Sequence, residues 1–182
     1  GYFRAVHHRE KEAWAGNLFS KTNLSFYGGM QPYKWIIMSA SYRWGDRIYY
    51  HPADPFIGDG KTITIDLNLQ PSEKINVMLA YRHDRLRQKD GESSPDVYRI
   101  NIYNCQASYQ FNRHFFLRAA LRYDDYNRKI LTDFLASYTL VPGTVAHVGY
   151  GALYEDRSWN GQRWESSQGD WHLMRRSLFL KV

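Results

Sequence analysis

Cysteine occurs once in the 182 residues, at Cys105. A lone thiol excludes an internal disulfide framework and any zinc site built on paired cysteines. Long apolar runs are also missing: stretches such as Trp35-Ile36-Ile37-Met38 fall far short of the ~18 residues that a membrane-spanning helix needs. No segment has helical periodicity, and mean hydropathy is -0.61. Dense basic blocks are absent although the net charge is +6; Lys and Arg are scattered, which argues against nucleic acid. A nucleophile elbow, a phosphate loop, an HExxH pattern and a cofactor fingerprint are all lacking, so neither enzyme activity nor a cofactor is expected. No signal peptide is visible. Gly1-Tyr2-Phe3-Arg4 reads as mid-strand, and the chain is expected to be a mature piece or part of something longer.

What is present is aromatic and periodic. The chain has 15 Tyr and 6 Trp, and 43% hydrophobic against 23% charged residues, a balance that argues against disorder. Short turns are expected at Gln31-Pro32, Gln70-Pro71, Phe111-Asn112 and Val141-Pro142. Each leads into a run that ends in an aromatic residue beside a charge: Tyr42-Arg43, Tyr81-Arg82, Tyr123-Asp124 and Tyr154-Glu155. The runs are 11 or 12 positions long, which matches the ~9–11 residues of a strand tilted across a bilayer.

Polar and apolar residues alternate within these runs. Ile63, Ile65, Leu67 and Leu69 oppose Thr62, Thr64, Asp66 and Asn68, and a period of two means strand. The pattern predicts ten strands, near 2–8, 17–28, 34–46, 61–70, 74–86, 97–111, 114–126, 130–141, 144–156 and 171–182. The run 97–111 changes parity near Ile102 and Tyr103, which predicts a β-bulge there. Connections at the tyrosine ends are long (Gly45 to Gly60, Leu86 to Asp96, Glu155 to Asp170) and rich in Gly, Pro, Ser and Asp. Short turns at one end and long loops at the other are the asymmetry of a bacterial outer-membrane barrel.

Alternation alone does not separate a membrane barrel from a soluble one, in which the apolar face points inward. Two features favour the membrane. The polar faces carry short side chains (Ser39, Ser41, Thr64, Asn68, Asn104, Ser108) with little Lys or Glu, as suits a crowded lumen. Aromatics gather at strand ends, where one side is wet and the other apolar. The reading is therefore all-β: an antiparallel up-and-down transmembrane β-barrel with about ten strands here, either alone or as part of a larger barrel. Its partner is the lipid bilayer of a bacterial outer membrane. The alternative is a soluble β-barrel that binds a small polar or sugar ligand.

By parity the lumen-facing charges are Arg43, Asp66, Arg82, Asp84, Arg118, Arg122, Asp124 and Asp133. They read either as a ladder that braces the wall or as a polar constriction that selects solutes. Trp159, Trp164 and Trp171 bracket the last long loop, with Asn160, Gln162, Arg163 and Gln168 between them. They suit interfacial anchoring or a sugar or partner surface. His7 and His8 point to opposite faces of a strand, so with Glu10 they make no chelate and no metal is expected. By analogy with ten-stranded outer-membrane proteases, which use Asp and His at the outer rim, Asp84, Asp124, Asp125 and His83 are a constellation to locate.

Tyr109-Gln110-Phe111-Asn112-Arg113, Leu117-Arg118-Ala119, Tyr123-Asp124, Leu135-Ala136-Ser137-Tyr138, Pro142-Gly143-Thr144, Gly149-Tyr150-Gly151 and Leu178-Phe179-Leu180-Lys181-Val182 carry a resemblance. The chain resembles the C-terminal barrel of large bacterial outer-membrane proteins of uncharacterised function, which carry an N-terminal domain similar to family-nine carbohydrate-binding modules. The resemblance implies the final strands of a larger barrel. It also implies, as partners, a periplasmic carbohydrate-binding-like domain or other envelope proteins. Its motifs are turn and strand signatures and say nothing about activity.

Overall fold

A computed structural model describes residues 1–89, 95–161, 164–166 and 169–182; the side chains of Arg157, Ser158, Trp164 and Ser166 lie outside that description. Ten strands form one antiparallel sheet: β1 (Tyr2–Trp14), β2 (Asn17–Tyr33), β3 (Ile36–Tyr49), β4 (Phe56–Ser72), β5 (Ile75–Gln88), β6 (Asp96–Gln110), β7 (Phe115–Asp124), β8 (Lys129–Val141), β9 (Thr144–Glu155) and β12 (His172–Lys181). Between the last two, β10 (Arg157–Trp159) and β11 (Trp164–Ser166) make a separate small hairpin. Sheet order is sequence order, the up-and-down meander that the alternation predicts. Among the described residues β1 and β12 each pair with one neighbour, and not with each other.

Prolines set the local irregularities. The expected turns at Gln31-Pro32 and Gln70-Pro71 lie instead inside β2 and β4, and the chain reverses at Lys34-Trp35 and Glu73-Lys74. Register shifts fall at Met30/Tyr33 and Leu69/Ser72. Proline has no N–H to give to a ladder, so a bulge accommodates it and the strand runs on. The bulge expected at Ile102 and Tyr103 is absent. Ile102 pairs with Arg82 and Tyr103 with Tyr81 in unbroken register, and the shift in β6 falls between Tyr98 and Asp96.

β1, β3, β4 and β5 also outrun their predicted ends on the long-loop side, whereas β7, β9 and β12 stop one or two residues short of theirs. β1 continues to Trp14 and closes on β2 through Ala15-Gly16. Both turn residues have positive φ, 47° and 79°, the type I′ geometry that matches strand twist. Much of the stretch from Gly45 to Gly60 is ladder, with Tyr49 opposite Phe56.

Stagger accumulates in one direction. The register row through Ile36, the first residue of β3, meets Val77 two residues into β5, Ala119 four into β7 and Tyr150 six into β9. One residue of slip per strand, at a rise of about 3.4 Å and a strand spacing of about 4.8 Å, tilts the strands by about 35° from the perpendicular to the line of turns. That lies within the range of barrel walls.

Very little of the chain is core. Among the described residues, the buried hydrophobic side chains are Ile48, Leu86 and Ala152. The accessible surface is 12843 Å², whereas a soluble globule of 21.5 kDa exposes about 9,200 Å². The ladder, not side-chain burial, holds the sheet together. The tip of the β1–β2 hairpin depends on its turn, where Ala15 bears a left-handed conformation that costs roughly 1 kcal/mol in a residue other than Gly or Asn. Ala15→Asn is expected to stabilise that tip by about 0.5–1 kcal/mol, read as slower amide exchange across Ala13–Leu18 with the rest of the sheet unchanged.

Candidate functional site

Register assigns each strand residue to one of two faces. One face gathers Phe26, Ala40, Ile65, Tyr81, Tyr103, Tyr123 and their rows. Its apolar side chains stand in the open: Ile65 and Leu121 are each 45% exposed and Phe134 50%. Aromatic rows frame it at both ends. On the loop side Phe26 stacks on Tyr42, and Tyr81, Tyr103 and Tyr123 follow one another at 5.0 and 6.0 Å, with Trp171 edge-on to Tyr123 at 6.1 Å; Phe3, nearer the short-turn end of β1, stacks on Phe26. At the short-turn side Tyr33 stacks on Trp35, and Tyr109, Phe111, Phe115 and Tyr138 form a chain. Phe115 and Tyr123 mark the two rows on β7. Eight steps span about 27 Å along the strand, or about 22 Å across the sheet after tilt, close to the ~25 Å apolar band of outer-membrane barrels.

Above the loop-side row the same face turns polar. His83 Nδ1 lies 2.9 Å from Asn101 Oδ1, Tyr81 donates its hydroxyl to that oxygen at 3.0 Å, Asn101 Nδ2 donates to Asp125 at 2.9 Å, and Tyr123 donates to Asp125 at 3.2 Å. Each ring thus lies against the apolar band while its hydroxyl meets a polar collar. This inversion accounts for the parity change in β6. Beyond the band Asn101 takes the outer face, and Ile100 and Ile102 take the other, alongside the buried Leu86.

The second face carries the eight charges singled out by parity, and register puts all of them there. Two of its residues from each of six strands, from Ile37 and Ser39 on β3 to Leu131 and Asp133 on β8, line a recess of about 480 Å³, and the apolar face holds one of about 500 Å³ across β5 to β9. The charges are not one ladder. Arg118 lies 4.0 Å from Asp133 and Arg82 lies 3.4 Å from Asp84. Arg43 donates to Ser25 at 3.3 Å and to the Tyr27 hydroxyl at 3.4 Å. Asp124 accepts from the backbone and side-chain amides of Asn127 at 3.0 and 2.9 Å, closing the β7–β8 turn. Asp66 and Arg122 are exposed in the recess. Ile37, Met78 and Leu131 also reach this face, so it is mixed rather than wholly polar.

The tightest knot on this face involves a residue that sequence reasoning missed. Arg47 pairs with Asp84, donates to Thr62 Oγ1 at 2.6 Å and to the Tyr98 hydroxyl at 3.1 Å, so one guanidinium clasps β3, β4, β5 and β6. It lay in a stretch read as loop. Asp46, Arg47, Ile48 and Tyr49 do not alternate in polarity, so period two gave no signal there. Asp156 was missed too. It is fully buried, accepts from Arg128 Nε at 2.7 Å and from the Gly169 amide at 3.2 Å, and so pins the last long loop to the β7–β8 turn. Of the three tryptophans, Trp159 is 55% exposed and Trp171 packs on Tyr123. The side chain of Trp164, with Gln162, Arg163 and Gln168, lies outside the described residues.

The acid and histidine constellation does not assemble. His83 and Asp125 share the outer face through Asn101, whereas Asp84 and Asp124 stand on the other face, engaged by Arg47 and Asn127. His7 and His8 stand on opposite faces of β1, and Glu10 pairs with Lys21 at 2.9 Å.

No family model matches the chain, and no curated protein matches it. Among solved structures, one described as a NanC porin in a rhombohedral crystal form is similar over 90% of this chain and 88% of that one, at 14% identity and a TM-score of 0.42. A likeness of that size transfers no role to this chain.

Two outcomes follow from the loop-side ion pairs. Replacing Arg47 by Met leaves Asp84, 15% exposed, with only its longer contact to Arg82. Breaking a fully buried pair costs ~3–5 kcal/mol; partial exposure reduces the expected loss to about 1–3 kcal/mol in chemical denaturation. The second concerns acid. At the β1–β2 tip, hydrogen bonds from Lys21 and then Tyr50 hold Glu12 below the ordinary carboxylate range. At the start of β6 the Arg99 hydrogen bond does the same for Asp96, against a smaller opposing effect of burial. Both carboxylates therefore have folded-state pKa values below their unfolded ones. Their contribution is fully present above pH ~4–4.5 and is lost as pH falls through the folded values. Acidification from about pH 5 to about pH 3 is expected to lower amide protection, taken relative to intrinsic exchange at each pH, at the β1–β2 tip and at the start of β6, while protection between the aromatic rows stays unchanged.

Proposed function

We propose that this sheet is a section of an outer-membrane β-barrel, with its apolar face in hydrocarbon and its polar face lining a water-filled conduit. One observation carries the reading: the face that holds Ile65, Leu117 and Leu121 is exposed, apolar and framed by two aromatic rows. A soluble barrel would bury these side chains in a dry core. In lipid each backbone polar group needs a partner inside the protein, and a continuous ladder from β1 to β12 supplies one strand after another. The resemblance to barrels that follow a carbohydrate-binding-like domain supports a second role for the same wall, as the membrane anchor of a periplasmic domain.

Adjacent residues on one strand test the assignment of faces. Leu79 lies on the apolar face midway between the aromatic rows, and Ala80 on the polar face. In phospholipid vesicles, Leu79→Arg is expected to lower folding stability by about 2–4 kcal/mol, the cost of a lipid-facing Arg near the midplane, and Ala80→Arg by less than about 1 kcal/mol. Equal losses, or the reverse order, would overturn the reading. So would a protein that remains monodisperse without detergent.

A further inference from the structure

We infer that the conduit prefers anions, through a belt of three arginines at its loop-side mouth; this rests on the conduit reading above. Arg43, Arg82 and Arg122 lie on alternate strands, each seven residues after the first residue of its own strand, Ile36, Ile75 and Phe115. The short turns mark a common boundary, so equal offsets place the three at one level, that of the loop-side aromatic row. All three are on the polar face. Strands two apart at this tilt place successive arginines about 12 Å apart along the wall, near the ~8–10 Å Debye length, so their fields overlap across the mouth.

Carboxylates offset the belt only in part. Arg43 makes its hydrogen bonds to the neutral Ser25 and Tyr27. Arg122 has no carboxylate within 4 Å among the described residues, and Arg82, 59% exposed, shares an Asp84 that Arg47 already holds. Of the other acids on this face in the band, Asp133 faces Arg118, and Asp124, hydrogen-bonded to the neutral Asn127, keeps its charge two residues from Arg122 and interacts with that guanidinium. Asp66 and Asp124 are thus the two carboxylates set against three arginines. Rings of Arg and Lys select anions in pores, and Arg is suited to planar, bidentate recognition of carboxylates. The solute class that fits is the small organic anion.

The test uses the full-length protein in planar lipid bilayers under a potassium chloride gradient, with the reversal potential as readout. The wild type is expected to favour chloride over potassium. Replacing Arg43, Arg82 and Arg122 together by Gln is expected to lower the chloride-to-potassium permeability ratio by about three-fold or more, and Asp66→Asn to raise it. Should the triple variant not fold, each single substitution and the swap Arg82→Glu are expected to move the ratio the same way in smaller steps. Potassium preference in the wild type, or a ratio indifferent to the arginine substitutions, overturns the anion belt and leaves the conduit standing. A folded, membrane-inserted wild type that carries no current overturns the conduit, and the belt with it.

Discussion

Residues paired across an antiparallel ladder point to the same side, and this parity constraint governs the rest of the molecule. Ten strands in almost unbroken register leave only two kinds of position. One slip within the band would move Leu and Ile of the apolar face onto the polar side and arginine onto the apolar side. The bulges accordingly avoid the middle of the sheet. They fall beside the proline turns, at the start of β6 and between Leu173 and Arg175 in β12, where a side chain is re-aimed without disturbing the rows between the aromatics.

The two faces exchange character above the loop-side aromatics. Below that level Tyr81, Tyr103 and Tyr123 continue an apolar wall; above it His83, Asn101 and Asp125 form a hydrogen-bonded collar on the same side. On the polar side the order is reversed, with a charged and amide-rich recess below and Leu86, Arg47 and their neighbours locked together above. The strands that extend beyond the band are therefore held by side-chain contacts and ion pairs of their own, such as Lys21 with Glu10 and Arg85 with Asp96.

Period-two alternation made the strand order and the two faces legible in the sequence, because Ile63 to Leu69 or Phe115 to Tyr123 need no tertiary information to be sorted. It failed beyond the loop-side aromatic row. The parity change at Ile102 and Tyr103 looked like a bulge because a single rule, apolar outward, was applied past the point where it holds. Arg47 was hidden for the same reason: beyond that row the strands carry polar residues on both sides and read as loop. Asp156 was out of reach altogether, since its importance comes from burial against Arg128 and Gly169, which are distant in sequence. The depth match of Arg43, Arg82 and Arg122 needed the true strand starts, and these differ by one or two residues from those that alternation suggests.

The outer edges of the sheet impose the last condition. Chain direction alternates with each hairpin, so β1 runs from the short-turn side to the loop side and β12 runs back. Two edges of opposite direction can meet antiparallel, either directly or across an even number of further strands; an odd number would force a parallel contact. A bilayer does not tolerate unpaired backbone at such edges, so the proposed setting requires one of these closures. The polar side of both edge pairs already carries a matching device. The ring of Tyr2 covers Gly29 across β1 and β2, and the ring of Phe179 covers Gly149 across β9 and β12. A methyl group at Gly149 would collide with the Phe179 ring. An aromatic ring folded over a cross-strand glycine shields the backbone and fixes pairing register. The two outermost strands are thus registered against their inner neighbours, which leaves their outer hydrogen-bonding edges to set how the wall closes.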